Sequence, residues 1–167
     1  MTFKEKYLTE FIYGAIDGTV TTFAIVAGVV GAGLSPGIVL ILGFSNVLAD
    51  GFSMASSNFL SERAEERLGN TNQKRPLQTA LATFISFVVL GTVPILSFVF
   101  EYFFGWFTGD QFLVSCILTA LAFIFIGFVR GKITKQNSTQ SILETLLVGG
   151  IAASVAYFVG ALLHNLV

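Results

Sequence analysis

Charge is what this chain has least of. Charged residues make up 11% of its 167 positions, where a soluble domain carries about a quarter. Nine basic and ten acidic side chains leave a formal net charge of −1. That balance gives no basic footprint for a polyanion, and no nucleic-acid partner is expected. The one cysteine, Cys116, cannot close a disulfide within the chain. The one histidine, His164, leaves no ligand set for a structural zinc site, which wants cysteine or histidine. It also lies far along the chain from the main polar segment, and no nucleophile–base pair is visible, so an enzyme is not expected. Acidic tails, basic tails and low-complexity segments are absent as well.

Apolar length is what the chain has instead. Hydrophobic residues make up 54% and the mean hydropathy is +0.80. Five apolar runs stand out, roughly 11–32, 37–57, 77–100, 111–129 and 142–163. Each is near the ~20 residues that a helix needs to cross a bilayer. Strict alternation is missing, so strands are not expected. The sequence therefore predicts an all-α, polytopic membrane protein with five transmembrane helices in one domain over 1–167. The first run is too long for a cleavable signal and contains Asp17, so no signal peptide is expected.

The basic residues fall in three places. Lys4 and Lys6 precede the first run, Arg63, Arg67, Lys74 and Arg75 follow the second, and Arg130, Lys132 and Lys135 follow the fourth. With five spans all of them share one side. The positive-inside rule makes that side cytoplasmic, with the N-terminus in and the C-terminus outside. The connections are short, which suits a prokaryotic plasma membrane. Tyr102, Phe103, Trp106 and Phe107 form an aromatic cluster suited to the outer interface. Pro94 predicts a kink in the third run.

One stretch breaks the apolar pattern: "NVLADGFSMASSNFLS", 46–61. Wound as a helix, it puts Asn46, Asp50, Ser53, Met54, Ser57 and Ser61 on one face, with Leu48, Phe52, Ala55 and Phe59 opposite. Such a stripe cannot face lipid without cost. It must meet a helix, a second subunit or water. Asn46 and Ser57 are expected to join helices by hydrogen bonds. The first run offers a counterpart, with Glu10, Asp17 and Thr21 sharing a face. Asp17 lies ~9 Å inside the basic end of its helix, and Asp50 lies ~10 Å inside the same end of the next. Asp17, Asp50 and Met54 therefore reach a similar depth. Carboxylates, hydroxyls and a thioether together suit a first-row divalent ion such as Fe²⁺ or Mn²⁺. A sparse, open site suits transport, because the ion must also leave. A symmetric homodimer would double the ligands. Gly14 and Gly18 form a small-xxx-small pair for close helix packing, within the chain or against a second copy.

At "AIDGTVTTFAIVAGVVGAG", "ADGFSMASSNFLSERAE" and "LETLLVGGIAA" the chain resembles the vacuolar iron transporter family. The resemblance covers nearly the whole chain. It implies a five-helix homodimer in the lipid bilayer that moves Fe²⁺, often also Mn²⁺, out of the cytosol in exchange for protons. The ion path would lie at the dimer interface, and the metal is cargo, so no cofactor is implied. By position Asp17 matches the family's pore aspartate, Met54 its pore methionine, and Glu10 an acidic position near the cytoplasmic mouth. Asp50 and Thr21 complete the candidate set on depth and face alone. Two departures stand out. Asn58 takes the place of a family glutamate, and the short "ERAEERLGNTNQKRP" replaces a glutamate-rich helical domain. The alternative is a membrane subunit or scaffold that moves no metal. Flux from the chain alone separates the two.

Overall fold

A backbone in hydrocarbon must satisfy its own hydrogen bonds, and a helix does so within one segment. The computed structural model describes residues 3–69 and 74–166, with side chains from Tyr7 onward. The side chains of Lys4 and Lys6, counted above, lie outside the described residues, as does part of the short segment after Arg67. Helices α1 (Phe3–Gly31), α2 (Pro36–Arg67), α3 (Pro76–Gly91), α4 (Leu96–Phe104), α5 (Gln111–Thr134) and α6 (Ser138–His164) follow one another, and there is no strand among the described residues. They supply five stretches long and apolar enough to cross a membrane, α3 and α4 acting together as the third.

Two boundaries differ from those read from hydropathy. The second predicted run ends near residue 57, yet α2 continues to Arg67 and has 32 residues. That is ~48 Å of helix, well beyond a ~30 Å hydrocarbon core. Hydropathy stops where charge begins, but Glu, Arg and Ala are strong helix formers and carry the helix on. The third span is interrupted. A 3-10 turn, Val93–Ile95, separates α3 from α4 at Pro94, which is the expected kink. Pro94 lacks the N–H that would continue the ladder. The Ser115 hydroxyl of α5 donates to the Pro94 carbonyl at 2.5 Å, and Thr92 donates to the Val88 carbonyl at 2.6 Å. Ser115→Ala should lower the melting temperature in detergent modestly, by the equivalent of about 0.6–1 kcal/mol. An unchanged melt would mean that the bond does not hold the break.

α1 is the central helix. One half packs on α3 and the other on α6, with α2 and α5 beside it. The close approach is set by glycine. A Cβ on Gly14 would stand 2.5 Å from the Thr83 carbonyl oxygen, and one on Gly18 would stand 2.6 Å from that of Phe87. Of the two packing partners open to this pair from the sequence, the structure selects α3 of the same chain. Toward the other end, Gly31 approaches Tyr157 and Gly160 approaches Gly28, which seats α1 on α6. Leu113, Ile117, Leu121 and Phe125 on α5, with Leu143, Leu147 and Ile151 on α6, are exposed. Apolar and exposed on spanning helices, they suit contact with lipid. Tyr102 and Phe103 at the end of α4, and Trp106 and Phe107 just beyond it, are likewise exposed, and the Phe100 and Trp106 rings stack at 5.8 Å. The helices alternate in direction, so Tyr7, Arg67, Lys74, Thr134 and Ser138 mark one end of the bundle, the basic end.

Candidate functional site

Two Asp-Gly pairs, Asp17–Gly18 in α1 and Asp50–Gly51 in α2, meet around one ring. Phe87 of α3 is completely buried. A Cβ on Gly18 would lie 3.1 Å from its Cγ, and one on Gly51 would lie 3.3 Å from its Cδ1. Each glycine lets its helix close on the ring, so the aspartate before it is held at the same level. Asp17 and Asp50 lie within electrostatic reach of each other. The equal depth inferred by counting residues is thereby realised in three dimensions. The second Asp-Gly pair was visible in the sequence, but its role becomes clear only with Phe87 in place.

Around this layer the candidate residues are arranged unevenly. Asp17 and Thr21 are half-buried on α1. The Thr21 hydroxyl donates to the Asp17 carbonyl oxygen at 2.8 Å. Its proton is therefore tied to the backbone and its lone pairs stay free for a cation. On α2, Asp50, Ser53, Ser57 and Ser61 are exposed, while Asn46 and Met54 are half-buried. The polar stripe thus lies on the outside of the chain and is not folded against a neighbour. Ala55 was placed opposite it but belongs to the buried ridge Val39, Gly43, Val47, Gly51 and Ala55 that packs inward. Among the described residues no three His, Cys, Asp or Glu side chains converge to hold a metal ion. One chain brings two carboxylates and a nearby thioether to this level.

Two expected helix-joining bonds differ from expectation. Ser57 donates to Ser53 of its own helix at 2.9 Å. The Asn46 Nδ2 is buried with no hydrogen-bond partner among the described residues. The link between helices comes instead from Asn58, whose amide donates to Thr83 Oγ1 on α3 at 2.7 Å. Thr83 is fully buried and passes its own proton to the Thr79 carbonyl at 3.1 Å. Asn58 is therefore a structural tie between α2 and α3.

Glu10 sits two turns before Asp17, at the basic end, and is buried. Its Oε1 accepts from Lys74 Nζ at 2.5 Å, while its Oε2 is buried without a partner. Beside it the Tyr7 hydroxyl donates to Gln78 at 2.6 Å and accepts from the Arg75 backbone N–H at 3.1 Å. Glu62 lies within electrostatic reach of both Lys74 and Glu10. Glu10 is thus paired with a lysine from the segment before α3, which spacing along α1 could not reveal. Lys74→Gln should cost about 1–3 kcal/mol, because it strands a buried carboxylate. The double change Lys74→Gln, Glu10→Gln should recover part of that loss in thermal melts. Additive losses would show that the two side chains do not interact. Near the same end, Glu144 in the second turn of α6 pairs with Arg130 at 3.0 Å.

Five spans long and apolar enough to cross a bilayer, with acidic side chains of two of them at one level, define a polytopic membrane protein. The profile of the VIT family matches residues 8–75 and 64–161, and the chain belongs to that family. It is similar to the vacuolar iron transporter of Toxoplasma gondii, 27% identical over 233 aligned positions that cover 96% of this chain and 76% of that protein. The vacuolar iron transporter of Plasmodium falciparum is 26% identical, with 95% and 82% covered. Vacuolar iron transporter 1 of Tulipa gesneriana is 22% identical, with 92% and 88% covered. The alignments run longer than this chain, so the relatives carry residues that it lacks. The two profile matches meet at 64–75, the junction of α2 and α3. The relatives' names are those of transporters and not of enzymes.

Proposed function

We propose that this protein transports a divalent transition metal, Fe²⁺ or Mn²⁺, out of the cytosol as a homodimer. The observation that carries this reading is the Asp17–Asp50 layer. Two acids share one level inside a membrane span, and the second lies on an exposed polar face of α2. Left against lipid, a carboxylate costs a few kcal/mol. A two-fold mate covering that face would hide the stripe and bring two copies each of Asp17, Asp50 and Met54 to a shared axis. Carboxylate oxygens and a thioether then form a mixed site suited to a borderline ion that binds and leaves. Thr21 contributes lone pairs at the same level. Glu10 and Lys74 guard the mouth. The family relationship, and the iron transport named for the relatives, support the same reading.

Proton exchange follows from ligand chemistry. Metal binds deprotonated carboxylates, and protonation releases it. A proton entering from the outer side onto Asp17 would discharge the ion there, and its loss on the inner side would reset the site. The positive-inside asymmetry supports a cytoplasmic basic end with the C-terminus outside. The short loops favour a prokaryotic plasma membrane. The whole chain acts as one five-helix unit.

The experiment is flux through purified protein in proteoliposomes. A panel of Fe²⁺, Mn²⁺, Zn²⁺, Mg²⁺ and Ca²⁺ is offered with and without an imposed pH gradient. Fe²⁺ or Mn²⁺ flux driven by the gradient is expected, with little Mg²⁺ or Ca²⁺ flux. Metal movement indifferent to the pH gradient would remove the antiport. No metal movement at all, from folded and correctly inserted protein, would favour the scaffold reading.

A further inference from the structure

The face of α2 away from Asp50 is not uniformly greasy. Phe52, Phe59 and Leu60 of α2 and Leu77, Leu81 and Phe84 of α3 line an apolar groove of about 510 Å³. It opens outward, with Phe52 70% and Leu60 64% exposed. At its basic end Leu60 is also a wall of a second pocket of about 340 Å³, which contains Arg63 and Arg67. The two pockets adjoin at Leu60. Leu60, Arg63, Ala64, Arg67 and Leu68 follow helical spacing of three and four, so both guanidiniums share a face. Of the acids on this stretch, Glu66 follows Arg63 by three residues and borders the arginine face, while Glu62 lies toward Glu10 and Lys74. Arg63 holds its guanidinium over the Phe59 ring at 5.6 Å, directly at the groove's rim. Among the described residues neither Arg63 nor Arg67 has an ion-pair partner.

We propose that this surface binds one anionic phospholipid, with an acyl chain in the α2–α3 groove and the headgroup phosphate on Arg63 and Arg67. The dimensions agree. Phe52 and Arg63 are separated by ~16 Å along the helix, which is acyl-chain scale. α2 outruns the hydrocarbon core, so its arginines reach the headgroup layer. A planar guanidinium matches a phosphate in two-pronged geometry. Basic pockets between helices on the cytoplasmic side are where acidic headgroups collect. Phe52 and Phe59 of the groove lie across α2 from Asp50, so a mate covering that carboxylate leaves the acyl groove open to lipid. A chain seated there would brace α2 against α3 at the level of the Asn58–Thr83 tie. The proposal rests on the fold alone and stands whether or not the chain moves metal.

The test uses the full chain in mild detergent. Phosphatidylglycerol, phosphatidylcholine with the same acyl chains, and inorganic phosphate are each added, and melting is followed alongside native mass spectrometry. Phosphatidylglycerol should raise the melting temperature by at least about 2 °C and remain bound at one per chain. Phosphatidylcholine and phosphate should do neither. The double variant Arg63→Gln, Arg67→Gln should melt like the parent without lipid and lose the phosphatidylglycerol shift. Lys132→Gln, at the same end of the bundle, should keep it. Equal shifts from phosphatidylcholine would make the effect acyl packing alone, and an equal shift from phosphate would make it an ion site. Either result overturns the proposal, as does an undiminished shift in the double variant. If the double variant fails to fold, Ser56→Trp, which fills the groove from α2, supplies the second arm. Loss of the shift is again expected, and its retention overturns the proposal.

Discussion

Asp17→Ala, reconstituted in proteoliposomes with a pH gradient, is expected to reduce Fe²⁺ flux by more than about 100-fold. Even changes behind the ligands of a metal site cost about 10–100-fold in affinity. Here the change would remove a charged ligand from each of two subunits. Asp17→Asn is expected to be equally inactive, because it keeps the size and loses the anion. Asp17→Glu keeps the charge and should retain part of the flux. All three should fold. Asp17 is only half-buried, and among the described residues its carboxylate makes no hydrogen bond, the Thr21 hydroxyl meeting its backbone carbonyl instead, so removing it relieves a partly buried charge. Parent-like flux from Asp17→Asn would take the carboxylate out of the mechanism. Loss of flux together with loss of the folded peak on gel filtration would show a structural role instead.

Phe87→Ala is expected to have the largest effect on stability, about 3–5 kcal/mol. The ring is fully buried and touches two helices through the absence of their side chains at Gly18 and Gly51. Lipid tails are as apolar as the interior, so helix association in a bilayer depends on packing contacts. A cavity at the meeting of α1, α2 and α3 forfeits those contacts on three sides. Phe87→Leu should cost less. Because Phe87 sets the level of both Asp-Gly pairs, the leucine variant should also lose flux even where it remains folded. Chemical or thermal unfolding in detergent measures the first effect and proteoliposome flux the second. A folded Phe87→Leu protein with parent-like flux would sever the link between the ring and the acidic layer.

Most of the architecture was legible because it depends on quantities that accumulate along a chain. The five spans follow from summed hydropathy over lengths fixed by bilayer thickness. The grouping of basic residues follows from counting the spans between them. The break at Pro94 follows from one missing N–H. The shared depth of Asp17 and Asp50 follows from helical rise and antiparallel direction. The continuation of α2 to Arg67 was harder to see, since charged helix formers end a hydropathy window without ending a helix.

Other features depended on which surfaces meet. Periodicity assigned Gly14 and Gly18 to one face but could not say whether a neighbour or a second copy lies there; the structure places α3 against them. Asn58 read as a lost charge, and its partner Thr83 lies 25 positions away. Glu10 was matched to an acidic position near the cytoplasmic mouth by resemblance alone, while its counter-ion Lys74 arrives from 64 positions along the chain. The sequence by itself determined how many helices cross, which residues each helix presents on a face, and how deep each polar group lies, because those are properties of single helices. Only the tertiary structure decided that Phe87 is the common wedge between two Asp-Gly pairs and that the acidic stripe of α2 is left on the outside. Those outcomes are set by the packing of several helices at once, and no single helix carries that information.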